Sequence, residues 1–152
     1  MGWQDFYRRR DALDAVVEQG ELRTSEAFPT EAELLLALHH RWSRRLAARV
    51  ELGELSSADP VDAVGAAWRR AAEDNASLRE LLDAHADDPV LRPLAEAEHR
   101  MLARAAGLTE AGDSAAEAES IGAAFLALQK SAPRRGRRNP VERLLRRLVP
   151  SA

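Results

Sequence analysis

The chain has 152 residues, 45% of them hydrophobic, with 22 basic and 25 acidic side chains, a net charge of −3 and no cysteine. That length suits one domain with a core large enough to hold without staples. The lack of cysteine excludes a disulfide framework, a thiolate metal site and a cysteine nucleophile. The longest apolar run falls far short of a membrane span. The start, MGWQDFYRRRD, lacks the apolar stretch of a signal peptide, so a cytoplasmic protein is expected.

Ala, Leu, Glu and Arg dominate while β-branched and aromatic residues are few, a mixture that favours helix throughout. The fold class expected is all-α: a bundle of five helices over residues 1–130, a basic Pro/Gly linker at 131–138, and a C-terminal amphipathic helix or tail at 139–152.

Residues 3 to 18 read as the first helix, with Trp3, Phe6, Leu13 and Val17 on one face, Arg10 in the middle of that face, and Gly20 closing it. A linker over 19–29 ends at Phe28-Pro29. Then comes the stretch with the densest apolar face, TEAELLLALHHRWSRRLAARVEL at 30–52. At about 100° per residue, Leu34, Leu35, Leu38, Trp42, Leu46 and Val50 share a stripe wide enough to pack on a core. Arg41, Arg44, Ala47 and Ala48 lie mostly opposite. Thr30 and Glu33 have the spacing of a capping box, and Gly53 is expected to end the helix. His39 and Arg49 interrupt the apolar arc; His40 lies outside it.

Asp59-Pro60 opens the third segment, with Val64, Trp68, Ala71, Leu78 and Leu82 on one face and Asn75 at its centre. This segment is either one helix to Ala84 or two helices bent near Asp74-Asn75, with Ser77 and Glu80 forming a second capping box. The next helix is expected from Asp88-Pro89 to Ala106, stopped by Gly107, with Glu98 near the centre of its apolar arc. Another runs from Asp113 or Ser114 to Lys130, with Ala118, Ile121, Phe125 and Leu128 facing in. Past the linker, Asn139 and Pro140 open a short last helix that sets Val141, Leu144, Leu145 and Leu148 against Arg143, Arg146 and Arg147.

Arg10, His39, Arg49, Asn75 and Glu98 each interrupt an apolar face. A buried charge is costly unless it is paired and hydrogen-bonded, so these five are expected to meet. They form either a structural polar network, for instance Glu98 bridging to Arg10 or Arg49, or a ligand pocket, or a proton-transfer pair of His39 with Glu98. Glu96 and His99 have the i, i+3 spacing of di-iron bundle ligands, but that motif does not recur, and they flank their helix's apolar face rather than centring it. Nucleophile-elbow, phosphate-loop, dinucleotide and zinc-protease patterns are absent, and neither a cofactor nor a metal is expected.

From Lys130 onward there are eight basic residues and one acidic, which leaves 14 basic and 24 acidic in the first 129. The arginines of this basic end, Arg134, Arg135, Arg137, Arg138, Arg143, Arg146 and Arg147, either contact a polyanion weakly and without sequence preference, or lie with the last helix on an anionic membrane, against which stand its shortness and lack of Trp or Phe, or stay solvated while the leucines dock.

The run Phe28-Pro-Thr-Glu-Ala-Glu-Leu-Leu-Leu-Ala-Leu38 resembles the junction between the DNA-binding and ligand-binding domains of tetracycline-repressor (TetR)-type regulators. The helices through DPVDAVGAAWRRAAEDNASLRELL are similar in character to that family's ligand region. Residues 19 to 29 are too few for the remaining helices of its helix-turn-helix, and Glu31 stands where the family usually has Lys. The resemblance implies a truncated relative with a pocket among helices and homodimerisation through the last bundle helices. The residues themselves point to a non-enzymatic binding or regulatory module, its ligand a small molecule or a protein partner at the helix interfaces. A regulator touching DNA through the tail, or a carboxylate–histidine enzyme or metal protein, stands behind that reading.

Overall fold

The computed structural model describes residues 2–56 and 58–131, which form six α-helices and contain no strand. These are α1 (Trp3–Gln19), α2 (Glu31–Glu54), α3 (Pro60–Asp74), α4 (Ala76–Ala84), α5 (Arg92–Ala105) and α6 (Ala115–Ser131). The expected all-α class holds. The linker and the last helix expected at 131–152 fall, apart from Ser131, outside the described residues.

α2 lies at the centre and packs against α1, α3, α4 and α5. Its stripe is the core: Leu34, Leu35, Leu38, Trp42 and Leu46 are fully enclosed, and Val50 nearly so. The helix starts where the Thr30 hydroxyl accepts from the Glu33 amide (3.2 Å) and Glu33 returns a carboxylate to the Thr30 amide (3.3 Å). That reciprocal cap satisfies two amides that the first turn otherwise leaves free. Just upstream, Phe28 is buried beneath α1 and pinned by a turn in which its amide lies 3.3 Å from the Ser25 hydroxyl. Gly53 does not stop the helix. It sits in the last turn facing Ala63 of α3, and the helix runs on to Glu54.

The third segment is two helices. Its break falls at Asn75, whose backbone (φ −127°, ψ 40°) leaves the helical region. The side chain compensates: Nδ2 donates to the Ala71 carbonyl (2.8 Å), and Oδ1 accepts from Arg45 of α2. The expected Ser77–Glu80 box does not form; Asn75 itself opens α4. α5 starts later than expected, at Arg92, because Asp88-Pro89 makes a turn in which Asp88 Oδ1 accepts from the Val90 amide (3.0 Å). It ends before Gly107, whose φ of 70° suits glycine. α6 is capped by a Ser114–Glu117 box.

α5 and α6 pack backbone to backbone. A Cβ on Gly122 would overlap the His99 carbonyl, so a methyl there would force the two helices apart. The other departure from expectation lies at the opposite end of the chain. α1 buries Leu13 and Val16 in its C-terminal half, while Trp3 (77% exposed), Phe6 (57%) and Tyr7 (44%) stand in solvent. The amphipathic face read for this helix exists in the sequence, yet the bundle covers only half of it.

Candidate functional site

Of the five residues expected to converge, the structure brings together two. His39 Nε2 and Glu98 Oε1 are 3.8 Å apart with both side chains 9% exposed. The other three sit elsewhere, each for a local reason. Arg10 is exposed because the bundle leaves that part of α1 uncovered; it reaches Asp11 (3.2 Å) and lies over the Tyr7 ring at 4.8 Å. Arg49 begins on the inward side of α2, but its long stem carries the guanidinium out to Asp74 at 2.6 Å. Asn75 serves the break between α3 and α4.

Besides His39, Glu98 is bound by Trp42, and Arg79 lies over that indole. The Trp42 indole Nε1 donates to Glu98 Oε1 at 2.6 Å, and the Arg79 guanidinium stacks on the Trp42 ring, 4.6 Å from its centroid, in a cation–π contact. Arg79 also binds Asp83 one turn on, at 3.0 Å. Burial pushes the Glu98 carboxyl above its ordinary pKa, against the opposing pull of Arg79, the Trp42 hydrogen bond, His99 and Lys130. Burial, then repulsion from Arg79 and His40, lowers His39 from 6.5 to about 4. His39 is therefore neutral at pH 7, and its contact with Glu98 is not an ion pair. Its Nδ1 lies 3.1 Å from the Ser43 hydroxyl. This is a closed polar plug set among core residues, with Trp68 packed edge-on against Trp42 (6.3 Å between centroids).

The sequence held a signal for this arrangement. A buried tryptophan usually finds an acceptor for its N–H; Trp42 finds Glu98, while the buried Trp68 Nε1 has none among the described residues. Arg79 sits beside the Leu78–Leu82 stripe of α4, where a long cationic side chain can reach across an apolar face. Glu96 and His99 stay at the helix edge; among the described residues no three His, Asp or Glu side chains group so as to hold a metal ion.

The open site lies between α1 and α2. A groove of about 1160 Å³ is lined by Trp3, Phe6, Arg9, Arg10 and Leu13 of α1, by Phe28, and by the face of α2 that runs from Glu33 through Leu36, Ala37, His40, Arg41, Arg44 and Arg45 to Ala48. Its floor is apolar and its edges are cationic. Leu36 is 41% exposed although its neighbour Leu35 is fully buried. Arg41 is held by Asp14 (2.7 Å) and by the Arg10 carbonyl (3.5 Å). Arg9 lies over the Phe28 ring at 4.6 Å. Burial, and then the neighbouring Arg41 cation, push Arg45 below its ordinary pKa, with Asp14 opposing. From the sequence, this side of α2 is only the face opposite the core stripe, with no site read on it. Its signal was Leu36 and Ala37 lying off the core stripe beside Arg41, Arg44 and Arg45, opposite a helix whose aromatics had no cover. A second, smaller cavity of about 470 Å³ lies between Glu21, Leu22, Glu31 and α4, with Glu80 and His85 on its wall.

The polyanion-binding arginines proposed for the tail, Arg134 to Arg147, lie outside the described residues. No helix of the described residues is long and apolar enough to cross a membrane. No family model, curated protein or solved structure matches the chain.

Proposed function

We propose that this chain is a non-enzymatic helical binding or regulatory module, and that the α1/α2 groove receives an amphipathic anion. The observation that carries this reading is an uncovered apolar surface, Trp3, Phe6, Leu36 and Ala37, bordered by Arg9, Arg44 and Arg45 and by Arg10 and Arg41, which Asp11 and Asp14 hold. Exposed apolar surface framed by polar side chains marks interaction sites. Arginine adds donors suited to carboxylate, sulfonate or phosphate. The Glu98–His39 plug supports a structural role better than a proton-transfer one, since it is enclosed and pairs its carboxylate with an indole N–H. The resemblance of residues 28–38 to TetR-type regulators accords with ligand binding among helices, and a DNA contact through the basic tail remains a separate proposal.

Anilinonaphthalene sulfonate, which joins an aromatic body to an anion, tests the reading. The folded chain is expected to bind it saturably, with affinity reduced at least about tenfold in Arg44→Glu and in Leu36→Asp. Both variants should keep the wild-type near-ultraviolet circular dichroism. No saturable binding, or equal binding by all three proteins, would overturn it.

A further inference from the structure

We infer that the occupant of the α1/α2 groove is an acidic amphipathic helix of a partner protein, an inference that rests on the binding-module reading above and narrows it. The groove is sized for a helix. Its lining spans Gly2 to Leu13 on one wall and Glu33 to Ala48 on the other; at 1.5 Å per residue these walls are about 16 and 22 Å long, the length of a helix of roughly 11–15 residues. Its volume of about 1160 Å³ exceeds the ~300–1,000 Å³ of most small-ligand sites. Two helices flanking a trough with an apolar floor are the setting in which a third helix lays down an apolar stripe.

Charge selects among the candidates for that helix. The five arginines along the groove face a single lining carboxylate, Glu33. Among the described residues no carboxylate oxygen lies within 4 Å of the Arg9, Arg44 or Arg45 guanidinium: Arg9 rests on Phe28 and Arg45 on the Asn75 amide. The chain's own C-terminal stretch is a poor occupant, since from Lys130 onward it carries eight basic residues and one acidic. A second copy docked groove to groove would set the same arginines against one another. A partner with Asp and Glu flanking its apolar stripe meets both features. Single-stranded nucleic acid would find cations and aromatic rings, but it would also cover Leu13, Leu36, Ala37 and Ala48, which offer no stacking face. An anionic bilayer would meet Trp3, Phe6 and the α1 arginines, but the lining also includes Leu13 and Phe28, which are 9% and 1% exposed and lie below the reach of a flat surface.

The test uses the full chain and a peptide of about 15 residues with Leu and Phe at i, i+3, i+4 and i+7, Glu elsewhere and no Trp, read through Trp3, the exposed indole beside the two buried ones. The expected result is saturable binding that shields Trp3 from iodide and raises peptide helicity. Affinity should fall at least about tenfold when the peptide's order is scrambled at constant composition, and likewise with Arg44→Glu or Leu36→Asp. Equal binding of ordered and scrambled peptides would overturn the inference. So would tighter binding of oligothymidylate or of phosphatidylserine vesicles, or self-association that Leu36→Asp abolishes and the peptide does not displace. Sulfonate dye binding that depends on Arg44, without preference for the ordered peptide, would sink the helix and leave the binding module standing. Failure of dye and peptide alike would remove both.

Discussion

The Glu98 plug and the α1/α2 groove are made of the same residue types, arginine, histidine, carboxylate and aromatic ring, and differ in what surrounds them. In the plug, Trp42, Arg79, Ser43 and His39 leave Glu98 9% exposed. In the groove, Arg9, Arg44 and Trp3 have one side toward solvent, and Trp3 is 77% exposed. Enclosure turns a polar group into a stability problem that its neighbours must solve. Exposure leaves the same chemistry available to something outside. The boundary between the two regions passes through α2, between Leu35 and Leu36.

The largest contrast is expected across that boundary. Leu35 is fully buried and Leu36 is 41% exposed, so Leu35→Ala should destabilise by about 2–5 kcal/mol and Leu36→Ala by no more than about 0.5 kcal/mol. Similar denaturant midpoints for the two would mean that the groove is not open at Leu36.

Within the plug, pH provides the next largest effect. His39 titrates at about 4 against an ordinary 6.5, so between those values the unfolded chain holds more protons and stability falls as pH falls. The full loss is roughly 3 kcal/mol for a shift of that size. Glu98 works in the opposite sense. Its raised pKa penalises the folded state once the carboxylate is charged, so that penalty is relieved as pH falls through its folded value toward 4.5. Subtracting the stability profile of His39→Gln from that of the parent should therefore reveal a decline between pH 6.5 and 4, and the Glu98→Gln background should make the parent's decline steeper. A flat difference would mean that His39 is solvated in the folded chain.

Glu98→Ala orphans the Trp42 indole N–H, which should cost about 1–3 kcal/mol, whereas Glu98→Gln keeps an acceptor and removes a buried charge, so it should stay within about 1 kcal/mol of the parent. Glu96→Ala at the edge of the same helix belongs within about 0.5 kcal/mol. If the Ala and Gln variants at 98 melt together, the hydrogen bond to Trp42 does not contribute.

These contrasts also mark what the sequence could disclose. Periodicity was enough for α2, because Leu34 to Val50 bury one stripe, and residue spacing was enough for the cap at Thr30, which is local in sequence; the Ser114–Glu117 box was not read. Periodicity singled out Glu98 and His39 correctly as inward polar residues, since an apolar arc interrupted by a charge is visible along one helix. It did not identify Trp42 as the hydrogen-bond partner of Glu98 or Arg79 as the cation stacked on that indole, which depends on how α2, α4 and α5 are placed against one another. Arg10 and Arg49 were assigned inward by their angle on the helix, but that angle fixes only Cβ; side-chain length carries Arg49 out to Asp74, and the bundle's extent decides whether Arg10 is covered. The groove stayed hidden for the same reason. An amphipathic face predicts that something covers it, without saying whether the cover belongs to this chain.

The smallest effect on stability is expected at Trp3, where it is also the most informative. Trp42 is fully buried and Trp68 is 6% exposed, while Trp3 contacts little beyond the Tyr7 ring, at 6.2 Å. Trp3→Phe should leave the unfolding midpoint within about 0.5 kcal/mol of the parent, because an exposed indole loses little when it becomes a smaller ring. The same change should remove most of the iodide-quenchable and red-shifted part of the emission and leave the spectrum of two enclosed tryptophans. A variant that keeps its quenchable fraction would show either that Trp3 is already covered or that Trp42 and Trp68 are open to solvent. In the first case the groove has an occupant within this chain; in the second the plug is not closed. Either result would collapse the distinction between the two regions from which the function is argued.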